Sequence, residues 1–278
     1  MLTSKLQNGT LTKEEFELLG CLDRRIYEET AKKRFSELDT NLNPHHPDFK
    51  LRLEVNIHLK DAVNFFIKNN KEFLRKQKRI KVIELGASLG AISSLMVLEE
   101  LYQAELIDKV ELTILDICKE PLEKTKKSEF ELEELYQKIN FSIPLDIIKK
   151  ILKKTIIIEG DILNTKLKMN EYSISIAAFT HHHLNIYDKR IACIELERIT
   201  QGNGIIIVGD LTFSYEEFIE WLKKHQIEQN SIGQRVPYAV ESFISTEEHQ
   251  KLFDDSTTIF QKKYPNHYIF AMKRGKNV

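Results

Sequence analysis

The chain has little that would tie it to a membrane, an oxidising compartment or a charged polymer. It carries three cysteines in 278 residues, Cys21, Cys118 and Cys193, far apart and odd in number. No CxxC or CxxxCxxC spacing occurs, so a zinc ribbon or an iron–sulfur site of that pattern is excluded and no metal is expected. No apolar run approaches the roughly 18 residues of a membrane helix. The opening stretch, MLTSKLQNGTLTKEEF, lacks the apolar core of a signal peptide. Charge of one sign is also missing. Lysine is plentiful but glutamate balances it, and a net charge of -1 creates no field that draws the chain to nucleic acid or membrane. The one basic cluster, Lys71 to Lys81, leads straight into an apolar strand. Internal repeats and low-complexity tracts are absent. These absences leave a cytoplasmic protein with no nucleic-acid and no membrane partner. With 42% hydrophobic residues it can bury a core of one large domain with additions.

What is present is organised around Ile80–Gly90, IKVIELGASLG. A basic, polar stretch gives way to β-branched Ile80, Val82 and Ile83. Glu84 and a glycine-containing turn follow, and AISSLMVLEELY reads as a helix. Strand, glycine loop and helix form the first unit of a nucleotide-binding α/β sheet. Glycine lets the loop turn sharply and a ligand approach the backbone. The helix N-terminus offers unpaired N–H groups to a polar or anionic ligand. A tight β–α turn with no ligand reads the same way.

Before this unit, Thr12 and Glu15 form a capping-box pattern, and apolar spacing predicts a helix to about Leu38. A loop with His45 and His46 follows, then a second helix from Asp48 to about Lys76. Residues 1–78 thus read as a helical N-terminal cap, either lidding a pocket or packing on the sheet. Val110–Ile117 is a second strand that ends in Asp116, which can accept from both hydroxyls of a ribose. Residues 119–153 read as an insertion of two helices. Thr155–Glu159 is a third strand, followed by Gly160, Asp161 and Ile162. Tyr172–Ala178 is a fourth, followed by Phe179, Thr180, His181, His182, His183 and Leu184. A helix from Tyr187 to Ile199 and a turn at Thr200–Gly204 lead into a fifth strand, Ile205–Gly209, ending at Asp210. A helix from Tyr215 to about Gln229 and a connection with Arg235, Tyr238 and Glu241 come next. After a capped helix, Phe243–Phe253, two β-rich runs are joined by Pro265-Asn266.

Glu84-Leu-Gly86-Ala87-Ser88-Leu-Gly90 resembles the acidic-x-Gly-x-Gly-x-Gly motif of the class I methyltransferases, which bind S-adenosylmethionine (SAM). Ser88 stands where that motif has its middle glycine. Dinucleotide fingerprints do not usually place a carboxylate two residues before the first glycine. The phrase ELERITQGNGIIIVGD and the C-terminal β-hairpin are similar to that family as well, over about residues 78–274. The resemblance implies a seven-stranded α/β sheet with an antiparallel last strand over residues 79–278. It implies that Glu84 orients the loop or the methionine amino group, Asp116 and Ile117 hold the ribose, and Asp161 and Ile162 hold the adenine. Gly86, Ala87, Ser88, Gly90, Phe179 and Thr180 would complete the cofactor site.

The expected activity is methyl transfer from SAM to an oxygen or nitrogen atom of a small molecule. Phe179 to His182 would line the pocket, with one ring against the methionine part of SAM, and, as a second reading, His181, His182, His183 or Tyr238 would serve as a base where the acceptor must lose a proton. Three consecutive histidines point in different directions and do not easily chelate one ion. The Asn/Asp-Pro-Pro-aromatic motif of nucleobase and glutamine methylation is absent. So are a Pro-Cys nucleophile and the strand-end aspartate of magnesium-dependent catechol-type enzymes. A non-catalytic SAM-binding module and a protein acceptor stay open as alternatives. An NAD-dependent reductase of the short-chain type would need Tyr-x-x-x-Lys, which no tyrosine provides. Nothing in the residues sets the oligomeric state.

Overall fold

The computed structural model describes residues 12–17, 49–129, 132–220 and 242–275. Seven strands form one sheet: β1 (Ile80–Leu85), β2 (Val110–Asp116), β3 (Ile156–Glu159), β4 (Tyr172–Ala178), β5 (Thr200–Leu211), β6 (Ser256–Lys263) and β7 (His267–Arg274). Their spatial order is β3-β2-β1-β4-β5-β7-β6. Strands β1 to β5 pair in parallel, and β7 runs antiparallel to both β5 and β6. This is the expected seven-stranded sheet with its antiparallel last strand.

Parallel strands that are apolar at nearly every position need cover on both faces. The two-residue period of a strand divides the core accordingly. Val82, Ile174, Ile205, Ile207 and Ile269 face one core, whereas Ile83, Leu85, Ile206, Val208, Tyr268 and Phe270 face the other. Over the first lie α2 (Phe49–Lys76), α3 (Ile92–Gln103), α4 (Lys119–Lys127), α5 (Leu132–Ile139) and α6 (Leu145–Lys154), contributing Leu59, Leu95, Leu122, Leu135 and Ile148. Over the second lies α7 (Ile186–Ile199), with Cys193 and Leu196 inward. A short helix, α8 (Thr246–Gln250), is capped by a full capping box between Ser245 and Glu248. Near the N-terminus, α1 (Lys13–Glu17) is opened by the expected reciprocal bonds of Thr12 and Glu15. No described helix is long and apolar enough to cross a membrane.

Two expectations change. The insertion after β2 holds three helices, because Ser128 takes a left-handed conformation (φ 57°) and ends α4. There Ser128 N–H donates to the Thr125 carbonyl and Glu129 N–H to the Lys124 carbonyl. The fifth strand starts at Thr200 and not after a turn. Thr200 pairs with Tyr172 and Ile205 with Ile174, so the intervening residues bulge out of register. Gly204 permits it, since a Cβ there would sit 2.8 Å from the Gln201 carbonyl oxygen and 3.0 Å from that of Ser173. The helix α2 belongs to the same core as α3, β5 and β7.

Candidate active site

In an open α/β sheet the ligand crevice lies beyond the carboxyl ends of the strands, where the strand order reverses. Here that point is between β1 and β4. The loop leaving β1 has positive φ at Gly86 (72°), Ser88 (49°), Gly90 (84°) and Ala91 (44°). Gly86 and Ala87 N–H both donate to the Leu115 carbonyl, at 2.8 and 3.1 Å. A Cβ on Gly86 would lie 2.5 Å from both Cγ2 and Oγ1 of Thr180, so glycine is required by its dihedral angle and by the side chain that presses on it. Ser88 adopts the left-handed conformation that a glycine takes more easily. Its N–H donates to Asp116 Oδ2 at 2.9 Å. Gly90 N–H donates to Thr125 Oγ1 at 2.7 Å, tying the loop to α4.

Glu84 is buried beneath this loop. Its Oε2 accepts from Ser94 N–H (2.8 Å) and Ser94 Oγ (2.6 Å), which fixes the first turn of α3. Burial raises its carboxyl to about 7 against the opposing Ser94 bonds. The neighbouring Ser93 hydroxyl donates to Asn56 of α2 at 2.6 Å. At the end of β2, Asp116 Oδ1 accepts from Cys118 N–H at 3.0 Å. Burial raises the Asp116 carboxyl above the ordinary value, and its bonds to backbone N–H groups oppose that rise. A carboxylate offers about four lone-pair sites, so these bonds leave it capacity for a hydroxyl. The Asp116 carbonyl accepts from Gly160 N–H at 2.9 Å, which brings the end of β3 alongside. Asp161 Oδ1 accepts from Leu163 N–H at 2.9 Å. Ile162 packs against the core that holds Leu85 and Leu115.

Beyond β4, Phe179 has φ 56°, an uncommon conformation for a bulky residue. Its N–H donates to the Gly209 carbonyl at 2.7 Å, and the Arg52 guanidinium of α2 lies 5.5 Å from its ring centre. His181–His183 form one 3₁₀ turn. The three rings go to different places. His182 Nδ1 meets Asp210 Oδ1, at the end of β5, at 2.6 Å, with both side chains buried. Burial would raise the Asp210 carboxyl, but the charge and hydrogen bond of His182 outweigh it and hold it down to about 2. His181 Nδ1 meets His249 Nε2 at 2.8 Å, and His249 Nδ1 meets Tyr268 Oη at 2.6 Å. Burial pushes His181 down to about 4 and His249 well below its ordinary value. The His183 ring centre is 4.0 Å from that of His182. The turn is tied to the segment before α8, where Ser242 N–H donates to the His182 carbonyl at 2.7 Å. Lys189 Nζ donates to the carbonyls of Leu184 and Ser242.

No family model matches the chain, and no curated protein matches it. Solved structures do. Geranyl diphosphate methyltransferase, solved with GPP and sinefungin, is similar at a TM-score of 0.55 and 8% identity, over 89% of this chain and 98% of that one. PH0226 from Pyrococcus horikoshii OT3 is similar at 0.51 and 14%, over 87% and 99%. The N-methyltransferase NodS from Bradyrhizobium japonicum WM9, solved with S-adenosylhomocysteine (SAH), is similar at 0.50 and 12%, over 89% and 98%. The chain has the class I methyltransferase fold.

On that methyltransferase fold, Glu84, Gly86, Ala87, Ser88, Gly90, Asp116, Ile117, Phe179 and Thr180 gather around one loop, with Asp161 and Ile162 on the adjoining strand end. Tyr238, Arg235, Glu241, His45 and His46 lie outside the described residues. In the sequence Asp210 stands out only as the end of a strand, and His249 only as part of a helix. Both reach the histidine turn through tertiary contacts, and no local spacing announces them.

Proposed function

We propose that the chain is a SAM-dependent methyltransferase that acts on an oxygen or nitrogen atom of a small molecule. The observation that carries this reading is the buried Asp210–His182 pair, two residues beyond Thr180, the residue whose side chain presses on Gly86. The residues present fit the cofactor: Asp116 keeps acceptor capacity for a ribose, and Asp161 is an acceptor on the neighbouring strand end for an adenine amino group. SAM, when bound, supplies a methyl group already activated by a positively charged sulfur. The chain's task is then to orient the acceptor and exclude water, and orientation alone can contribute about 7–11 kcal/mol. Asp210 holds the His182 ring through Nδ1, so Nε2 is the atom that takes the acceptor's proton. The helix α2 packs on the sheet with Val55 and Leu59, and its N-terminal half also reaches the crevice, since Arg52 lies over Phe179 and Asn56 accepts from Ser93. A small acceptor, with no nucleic acid or membrane, agrees with the balanced charge.

The test is calorimetric titration with SAM, SAH and NADH, followed by transfer of labelled methyl groups to small acceptors. SAM and SAH are expected to bind. Asp116→Ala should weaken both about 10–100-fold, the loss of charged hydrogen bonds worth roughly 1.5–3 kcal/mol. Binding of NADH alone would overturn the reading. Binding of SAM without transfer to any acceptor would favour a non-catalytic SAM-binding module.

A further inference from the structure

Behind the His182–Asp210 pair lies a second cluster that methyl transfer does not use. His181, Cys193 and His249 come from three separate elements: the 3₁₀ turn, α7 and α8. All three are buried, and one nitrogen or sulfur atom of each lies within 4.8 Å of the other two. Among the described residues this is the one such group. Cys193 is a free thiol.

Hydrogen bonding alone does not satisfy these rings. Where His249 Nδ1–H donates to Tyr268 Oη, His249 Nε2 accepts from His181 Nδ1–H, and His181 Nε2 is left as a bare lone pair. Where the tyrosine hydroxyl donates instead, the protons run the other way and His181 Nε2–H is left without an acceptor. In both tautomers Nε2 of His181, a side chain only 1% exposed, has no partner. The nitrogen that faces His249 is Nδ1, so Nε2 is not itself a ligand, and its lack of a partner says only that hydrogen bonds do not anchor that side of the ring. Two imidazoles and a thiol that converge within 4.8 Å are a donor set of two nitrogens and one sulfur, which suits zinc.

We propose that His181, Cys193 and His249 bind one zinc ion. Zinc–nitrogen bonds of about 2.0–2.1 Å at tetrahedral angles set the two nitrogens roughly 3.3 Å apart. The His181–His249 separation of 2.8 Å has to open by about half an ångström, and Cys193 has to close in. Tyr268 Oη then accepts from His249 Nδ1–H, the outer bond that a metal-bound histidine commonly makes. The buried Lys189 is a neighbouring cation tied to the Leu184 and Ser242 carbonyls, and burial lowers it to about 8 against the opposing pull of the Asp210 carboxylate. The ion staples the histidine turn to α7 and α8, and so holds the peptide that carries His182.

The experiment uses the full-length, tag-free, reduced protein. Metal content is measured as purified and again after chelation, and the chelated protein is titrated with Co2+ and then Zn2+. About one equivalent of Co2+ is expected, with the visible bands of a tetrahedral site and a near-ultraviolet thiolate-to-cobalt band, both abolished by Zn2+. Cys193→Ser should lose the thiolate band while its far-ultraviolet circular dichroism is unchanged. Tyr268→Phe should bind Co2+ about 10–100-fold more weakly. A wild-type protein that stays metal-free and shows no cobalt band in excess Co2+ overturns the proposal. So does a cobalt spectrum that survives Cys193→Ser. Neither readout depends on methyl transfer.

Discussion

The two halves of the strand-end crevice are built differently. At β1 to β3 the backbone does most of the binding: N–H groups of Ser88 and Cys118 hold Asp116, and that of Ser94 holds Glu84. At β4, β5 and β7 the side chains bind one another: His182 to Asp210, and His181 to His249 to Tyr268. The first arrangement needs glycine and small residues at fixed places along one stretch of chain. Asp116 meets that stretch through a backbone N–H 28 positions away, whereas the second arrangement needs pairs of side chains 28 and 68 positions apart to meet each other. One half is a shaped cradle, and the other is a network of side chains that hold one another.

The largest effect should separate the halves by turnover. His182→Gln is expected to lower kcat by about 10²–10⁴, the usual contribution of a general base, and to leave SAM affinity within roughly twofold. A loss of SAM binding in that variant would break the division. Gly86→Ala should do the opposite. It places a Cβ against Thr180 at a positive φ, so it should weaken SAM binding and destabilise the fold by about 3 kcal/mol in urea denaturation. Adding Thr180→Ser removes Cγ2 and should restore part of that loss, never all, because the dihedral strain stays.

Acid and alkali should pull on the halves in opposite senses. The Glu84 carboxyl is raised in the folded state to about 7, so its stability contribution is complete below the unfolded value of 4.5 and lost as pH rises through 7. Asp210 is depressed to about 2, so its contribution is complete above the unfolded value of 3.8 and lost as pH falls through 2. Glu84→Gln should therefore flatten the decline in stability between about pH 4.5 and 7, worth on the order of 3 kcal/mol, and leave the acid limb in place. An unchanged alkaline limb would mean that Glu84 is not the group responsible. The smallest effect belongs to Ser88→Gly. Relief of the left-handed strain and the added freedom of the unfolded chain oppose each other, and unfolding should shift by less than about 0.5 kcal/mol.

The same contrast explains what could be read from the sequence. Apolar β-branched runs, the Glu84–Gly90 loop, Asp116 at a strand end and the terminal hairpin are local patterns, and each appears in the fold where its residues said it would. The start of β5 differs because Thr200–Gly204 reads as a turn, whereas here Gly204 lets the chain bulge within a ladder. The break at Ser128 is hidden because lysine and glutamate favour helix on both sides of it. The partners of the histidines are hidden for another reason. A hydrogen bond between Asp210 and His182 leaves no trace in spacing, and His249 sits in a helix of five residues whose cap is its clearest signal.

Strand β7 gives the crevice an order of manufacture. Of the seven strands it is the last to be synthesised, yet it lies inside the sheet, between β5 and β6. The glycine loop and its acidic partners are all made by residue 161. The histidine cluster waits for Tyr268, so until that stretch has been made β5 presents a bare apolar edge. A growing chain thus holds the residues of the cradle for more than a hundred residues before it holds those of the proton network.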